Sequence, residues 1–171
     1  MLRMSRKARV FWPICSLLFL ADCSSKRLIV EQFQPLGYGS HTVIDGVLRF
    51  TVAYNRDAAM GVPLGVFTRF GIALFVITAL VVLGAMYRRT PKWATWRLVA
   101  LALICGGAAG NLIDRLRWSR GVVDFIDVGL GAHRFWWVFN VADMGVMVGA
   151  ALLAYTIWKE DSTPRPIATR S

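Results

Sequence analysis

The chain has 171 residues, of which 56% are hydrophobic and 18% charged. That composition excludes an ordinary soluble domain, in which about a quarter of residues are charged, and the seven tryptophans suit the aromatic belts of a membrane protein. The net charge of +10 would fit a nucleic-acid partner, but the basic residues collect largely where they would set orientation in a membrane.

Met1 to Arg9 is basic, with Arg3, Arg6, Lys7 and Arg9. An apolar run follows to about Ala21, and polarity returns at Asp22. The run ends in Leu20-Ala21-Asp22-Cys23, which resembles a cleavable signal peptide with a lipid-attachment cysteine. Against that, Asp22 stands where cleavage needs a small residue, and the rest of the chain is itself apolar. A first transmembrane helix over about 10–30 is the better reading, since spanning a bilayer takes ~20 residues. Asp22 and Lys26 are four apart and share a helix face, so they can pair.

Residues 31–64 change character. Pro35, Gly37, Gly39 and Gly46 break helices, while Leu48, Phe50, Val52 and Tyr54 alternate with Arg49, Thr51 and Ala53, the period of a half-buried strand. Asp45-Gly46 is a hairpin signal. The pattern predicts a small extracytoplasmic sheet between helices 1 and 2. Further helices are expected over 65–87, 93–113 and 135–158, with a loop over 116–134. Residues 1–160 then form a single transmembrane domain, and 161–171 a polar cytoplasmic tail. The fold class expected is an all-α integral membrane protein with four transmembrane helices. With the N-terminus inside, eleven of the twenty basic residues fall on the cytoplasmic side, as the positive-inside rule favours. Both termini are then cytoplasmic.

Residues 106–143 place Asn111, Asp114, Arg115, Asp124, Asn140 and Asp143 in or beside apolar segments. A charge at the bilayer centre costs at least ~2.5 kcal/mol, so such groups are kept by pairing or by chemistry. Two carboxylates meeting in a poorly hydrated site share a proton and titrate as a unit. That is the aspartic-protease arrangement, in which one removes a proton from water and the other donates to the scissile carbonyl. Asp124 and Asp143 are the candidate pair. The blander alternative makes Asp114 and Arg115 helix-end ion pairs and Asp127 a solvated side chain. No metal is expected: Cys15, Cys23 and Cys105 lack ligand spacing, and His41 and His133 fall in expected loops. No cofactor is expected either.

Four blocks, in order, resemble the lipoprotein signal peptidase (signal peptidase II) family: ADCSSK with Asp22 and Lys26, AYNRDAAMG with Asn55, Ala58 and Ala59, GGAAGNLIDR followed by GVVDF, and FNVAD. They run from Asp22 to Asp143. The resemblance implies an aspartic endopeptidase that cuts diacylglyceryl-modified prolipoproteins N-terminal to the lipidated cysteine. Asp124 and Asp143 would be catalytic. Asn55, Asn111, Arg115 and Asn140 would bind substrate, with Asp22, Lys26 and Asp114 as structural support. It also implies a multi-pass protein of the bacterial inner membrane, its active site on the outer face. The partners would be lipid-modified prolipoproteins and membrane lipids, with no nucleic acid, and the chain would act as a monomer. The chain departs from the family at Asp57 and Met60, where Gly and Phe are usual, and between Asp114 and Asp124, which are one residue further apart. Competing classes are a small proton-coupled transporter, a structural membrane protein, and a lipoprotein cleaved at Cys23.

Overall fold

The computed structural model describes residues 4–33, 40–55, 68–129 and 135–161. In chain order they form α1 (Arg6–Phe33), β1 (His41–Ile44), β2 (Leu48–Asn55), α2 (Thr68–Arg89), α3 (Thr95–Arg117), β3 (Val122–Gly129), β4 (Phe135–Phe139) and α4 (Val141–Asp161). Helix α1 runs unbroken through Asp22 and Cys23. Among the described residues, three helical stretches are long and apolar enough to cross a membrane: Phe70–Arg89, Thr95–Arg117 and Val141–Glu160. The second half of α1 is diluted by Asp22, Lys26, Arg27 and Glu31.

Helix α3 is central. Leu98, Ala100, Leu101 and Ala102 on it have no exposed surface. Its small residues let neighbouring backbones come close, the packing that substitutes for a hydrophobic driving force among membrane helices. A Cβ on Gly107 would collide with the carbonyl oxygen of Ala142 on α4, and one on Gly110 with the Asp22 carboxylate on α1. Helix α2 turns outward, exposing Leu74, Phe75, Val81 and Val82. Such an apolar surface suits lipid rather than water.

The two ends of the bundle differ. At one end Lys7 donates to the Arg88 carbonyl at 3.0 Å, and Arg97 pairs with Glu160 at 2.6 Å. At the other end stands a four-stranded antiparallel sheet in the order β1-β2-β3-β4. Asp45-Gly46 does make the turn between β1 and β2, with Gly46 at φ 67°, a conformation that glycine adopts without strain.

The expected loop over 116–134 is corrected: Val122–Gly129 is a strand, and the sheet therefore draws on the α3–α4 connection as well as the α1–α2 one. The fourth helix starts at Val141, because Phe135–Phe139 pairs with β3. Asp124 and Asp127 hid β3 by breaking its apolar run, yet both are buried. The solvated alternative for Asp127 fails with it. Asp127 is 1% exposed, lies opposite Arg49 in the ladder and accepts from its Nε at 2.6 Å.

Candidate active site

Helix α1 carries Asp22 and Lys26 four residues apart on one face. Lys26 Nζ lies 2.7 Å from Asp22 Oδ2 and 2.9 Å from Asp114 Oδ2 on α3. All three side chains are buried. Asp22 Oδ1 also accepts the backbone N–H of Ala142 at 2.9 Å, in the first turn of α4. One ammonium and two carboxylates therefore tie three helices together. Asp114 reaches the sheet as well, accepting the Val123 N–H at 3.4 Å.

Lys26 makes a further hydrogen bond, 2.9 Å to Asn111 Oδ1. An ammonium only donates, so this contact fixes the amide's orientation. Asn111 Nδ2 then faces Asp143 and donates to its Oδ1 at 2.7 Å.

Asn140 stands just before α4 and caps it. Its Oδ1 accepts the Asp143 N–H at 2.9 Å, while Asp143 Oδ2 accepts the Asn140 N–H at 3.2 Å. The reciprocal pair is a capping box with an aspartate at the third helical position. The helix expected over 135–158 would put Asp143 about two turns in, and that expectation is corrected. Asp143 is in the first turn, at the positive end of the helix dipole, and Phe139 ends β4. Fixed in this way, Asn140 Nδ2 donates to Asp124 Oδ1 at 2.7 Å, with Asn111 Oδ1 at 3.1 Å and the Val123 carbonyl at 3.3 Å. Asn140 thus touches both candidate carboxylates.

Asp124 reaches this point from β3. On the adjacent strand, Asn55 at the end of β2 donates to Asp124 Oδ2 at 3.2 Å. Arg115 Nη1 bonds the Asn111 carbonyl at 3.3 Å, and its charge is felt by Asp124, Asp143 and Asp114. Burial, with the charge of Asp143 second, pushes the Asp124 carboxyl up to about 6, against the hydrogen bonds from Asn55 and Asn140 that favour the carboxylate. A carboxyl so placed keeps its proton more readily than an ordinary aspartate. The pair can therefore hold one acid and one base side by side.

All nine residues singled out in the sequence lie in or beside this one network. The capping box, the direction of the Asn111 amide and the Arg49–Asp127 clasp across β2 and β3 were not foreseen. The first was legible in principle, because Asn-x-x-Asp ahead of an apolar run is a helix-start signal. Ala58, Ala59, Asp57 and Met60 lie outside the described residues. Among the described residues no cluster of three or more potential metal ligands occurs.

Known proteins resemble this chain over most of its length. It is 39% identical over 145 residues to the lipoprotein signal peptidase of Moorella thermoacetica, covering 84% of this chain and 90% of that one. It is 34% identical over 164 residues to that of Pseudomonas putida, covering 95% of each. Two solved structures of a bacterial membrane enzyme, obtained by the in meso method, share its fold. One has a TM-score of 0.73 at 27% identity over 92% of both chains; the other has 0.74 at 28% identity over 86% of this chain and 91% of its own. The family model described as Signal peptidase (SPase) II matches residues 14–159, a span that contains the whole carboxylate and asparagine network, and the chain belongs to that family.

Proposed function

We propose that this protein removes the signal peptide from diacylglyceryl-modified prolipoproteins by cutting N-terminal to the lipidated cysteine, with Asp124 and Asp143 as its catalytic pair. Membership of the signal peptidase II family, an aspartic protease family, supports the reaction class. The observation that carries the residue assignment is that Asn140 hydrogen-bonds both carboxyl groups. Asp143, at a helix N-terminus, takes a proton from water as the water oxygen attacks the scissile carbonyl carbon. Asp124, the group that retains a proton to about pH 6, donates to the carbonyl oxygen. Collapse of the tetrahedral adduct breaks the C–N bond. The departing nitrogen takes the proton that Asp143 removed from water and becomes the free amine of the lipidated cysteine, while Asp124 recovers its proton from the hydroxyl of the collapsing adduct and the signal peptide leaves with a new carboxyl group. Asn55, Asn111, Arg115 and Asn140 hold the peptide backbone and the lipid ester region. Asp22, Lys26 and Asp114 hold the helices that carry them.

In this reading α1 is a fourth transmembrane helix, its buried Asp22 and Lys26 neutralised by each other. Residues 1–160 form one peptidase domain and 161–171 a cytoplasmic tail. Both termini face the cytoplasm of the bacterial inner membrane, and the sheet and pair lie at the outer face. A monomer suffices, because every residue of the network comes from one chain. The substrate's own acyl chains and signal helix hold the bond at the depth of the pair, which supplies positioning that otherwise costs entropy. The test is incubation of the purified protein with a lipidated precursor, followed by intact mass of both products. Two fragments that sum to the precursor plus one water, one beginning at the lipidated cysteine, are expected. Cutting at any other bond would overturn the assignment.

A further inference from the structure

A cavity of about 540 Å³ opens between the second half of α1, the end of α3, and strands β2 and β3. Neither Asp124 nor Asp143 is among its lining residues, although Lys26, Asp114 and Val123 of the surrounding network are. Its charged lining is Lys26, Arg27, Arg117 and Arg120 against Glu31 and Asp114. Two of the cations are matched: Lys26 by Asp114 at 2.9 Å and Arg27 by Glu31 at 2.7 Å. The remaining positive charge belongs to Arg117 and Arg120. The Arg120 guanidinium lies 4.8 Å from the Tyr54 ring centroid and 5.7 Å from that of Trp118. Stacking on aromatic faces fixes the plane of a guanidinium and leaves its N–H edge available. Among the described residues, no side-chain hydrogen bond or ion pair involves Arg117, the last residue of α3.

We propose that this cavity binds the phosphodiester headgroup of one membrane glycerophospholipid. Two guanidinium groups at one cavity match an oxygen-rich anion, because their forked N–H groups pair with phosphate oxygens. A free phosphate would satisfy the arginines equally well, but α1 favours a lipid. Leu17, Leu20, Ser24, Arg27 and Glu31 recur at helical spacing and form one stripe along α1. Ser24, Arg27 and Glu31 line the cavity, whereas Leu17 is 71% and Leu20 58% exposed. The stripe thus leads from the arginines down an apolar track of the kind acyl chains follow. The lipidated cysteine of the proposed substrate carries a diacylglyceryl thioether and no phosphate, so the cavity is not a second place for that substrate.

The test is native mass spectrometry of the purified full chain in detergent, titrated separately with dioctanoyl-phosphatidylglycerol, dioctanoylglycerol and inorganic phosphate. One molecule of the phospholipid should bind saturably, with dioctanoylglycerol and inorganic phosphate each weaker by about tenfold or more. Arg117→Gln and Arg120→Gln should each weaken phospholipid binding by about tenfold, the scale of one lost charged hydrogen bond, and Arg117→Lys should weaken it less. Equal binding of dioctanoylglycerol would make the cavity a plain acyl groove. Equal occupancy by inorganic phosphate would make it a free-anion site. Either result, or unchanged affinity in both glutamine variants, overturns the proposal. The wild-type comparison of the three ligands decides the matter even where a variant does not fold.

Discussion

Replacing Lys26 by methionine removes the one cation from a buried cluster while nearly preserving side-chain length. Asp22 and Asp114 lose partners at 2.7 and 2.9 Å, and Asn111 loses a donor at 2.9 Å. Asp22 has no exposed surface and Lys26 only 4%, so water is a poor substitute for the cation. Breaking a buried ion pair from one side costs about 3 to 5 kcal/mol, because a charge is left uncompensated. At about 2 to 4 °C per kcal/mol for a chain of this size, the apparent melting temperature should fall by about 6 to 20 °C. The assay is tryptophan fluorescence during a thermal ramp in detergent. Arg27→Met is the control, since Arg27 and Glu31 pair at the surface with 79% and 57% of their side chains exposed, and it should leave the melt unchanged. The triple variant Lys26→Met, Asp22→Asn, Asp114→Asn should recover most of the loss. It leaves no buried charge in the cluster, and each new amide can still accept the backbone N–H bonds from Ala142 and Val123. A Lys26→Met protein that melts with the wild type, or a triple variant no better than the single one, would refute this account of the clamp.

The proposed chemistry also sets a pH dependence. The acid role requires a protonated Asp124, so kcat/KM should decline as pH rises through about 6, the value to which burial and Asp143 push that group. A pH–rate profile that stays flat from 5 to 8 would contradict the role. Asp143→Asn removes the second cause of that shift and leaves burial, so the Asp124 carboxyl band in infrared difference spectra should titrate at lower pH in the variant. An unmoved midpoint would separate the two groups. Asp57→Gly removes the carboxylate that stands where the family resemblance implies Gly. A solvent-screened charge is worth about 1 kcal/mol or less, so KM should change a few-fold, less so at high salt, with kcat nearly constant. A large fall in kcat insensitive to salt would bring Asp57 into the chemistry.

The helices and the residues of the site were legible because each leaves a local mark. Apolar runs of about twenty residues mark α2, α3 and α4, and charges inside such runs mark Asp22, Lys26, Asp114 and Asp143. The strand β2 was legible through its alternation from Leu48 to Tyr54. Strand β3 was not, since Val122 to Phe125 is buried on both faces and shows no alternation. Asp127 also reads as solvent-facing when its partner, Arg49, lies 78 residues away in the chain. The start of α4 was misplaced for a related reason: Phe135 to Phe139 is apolar enough for either element, and only pairing with β3 decides it. The glycines of the GGAAG block were visible as a motif, but their purpose is tertiary. Gly107 admits the backbone of α4, and Gly110 admits the Asp22 carboxylate.

The central claim is that Asp124 and Asp143 act as one unit, and single-turnover cleavage of a lipidated precursor by Asp124→Asn, Asp143→Asn and the double variant tests it most directly. Each protein should first be shown to melt cooperatively, so that loss of activity is not loss of fold. Groups that act as a unit are non-additive. Each single variant should therefore lose nearly as much activity as the double variant, with all three close to background. A single variant that keeps near wild-type turnover, or two partial losses that multiply to give the double, would contradict the pair.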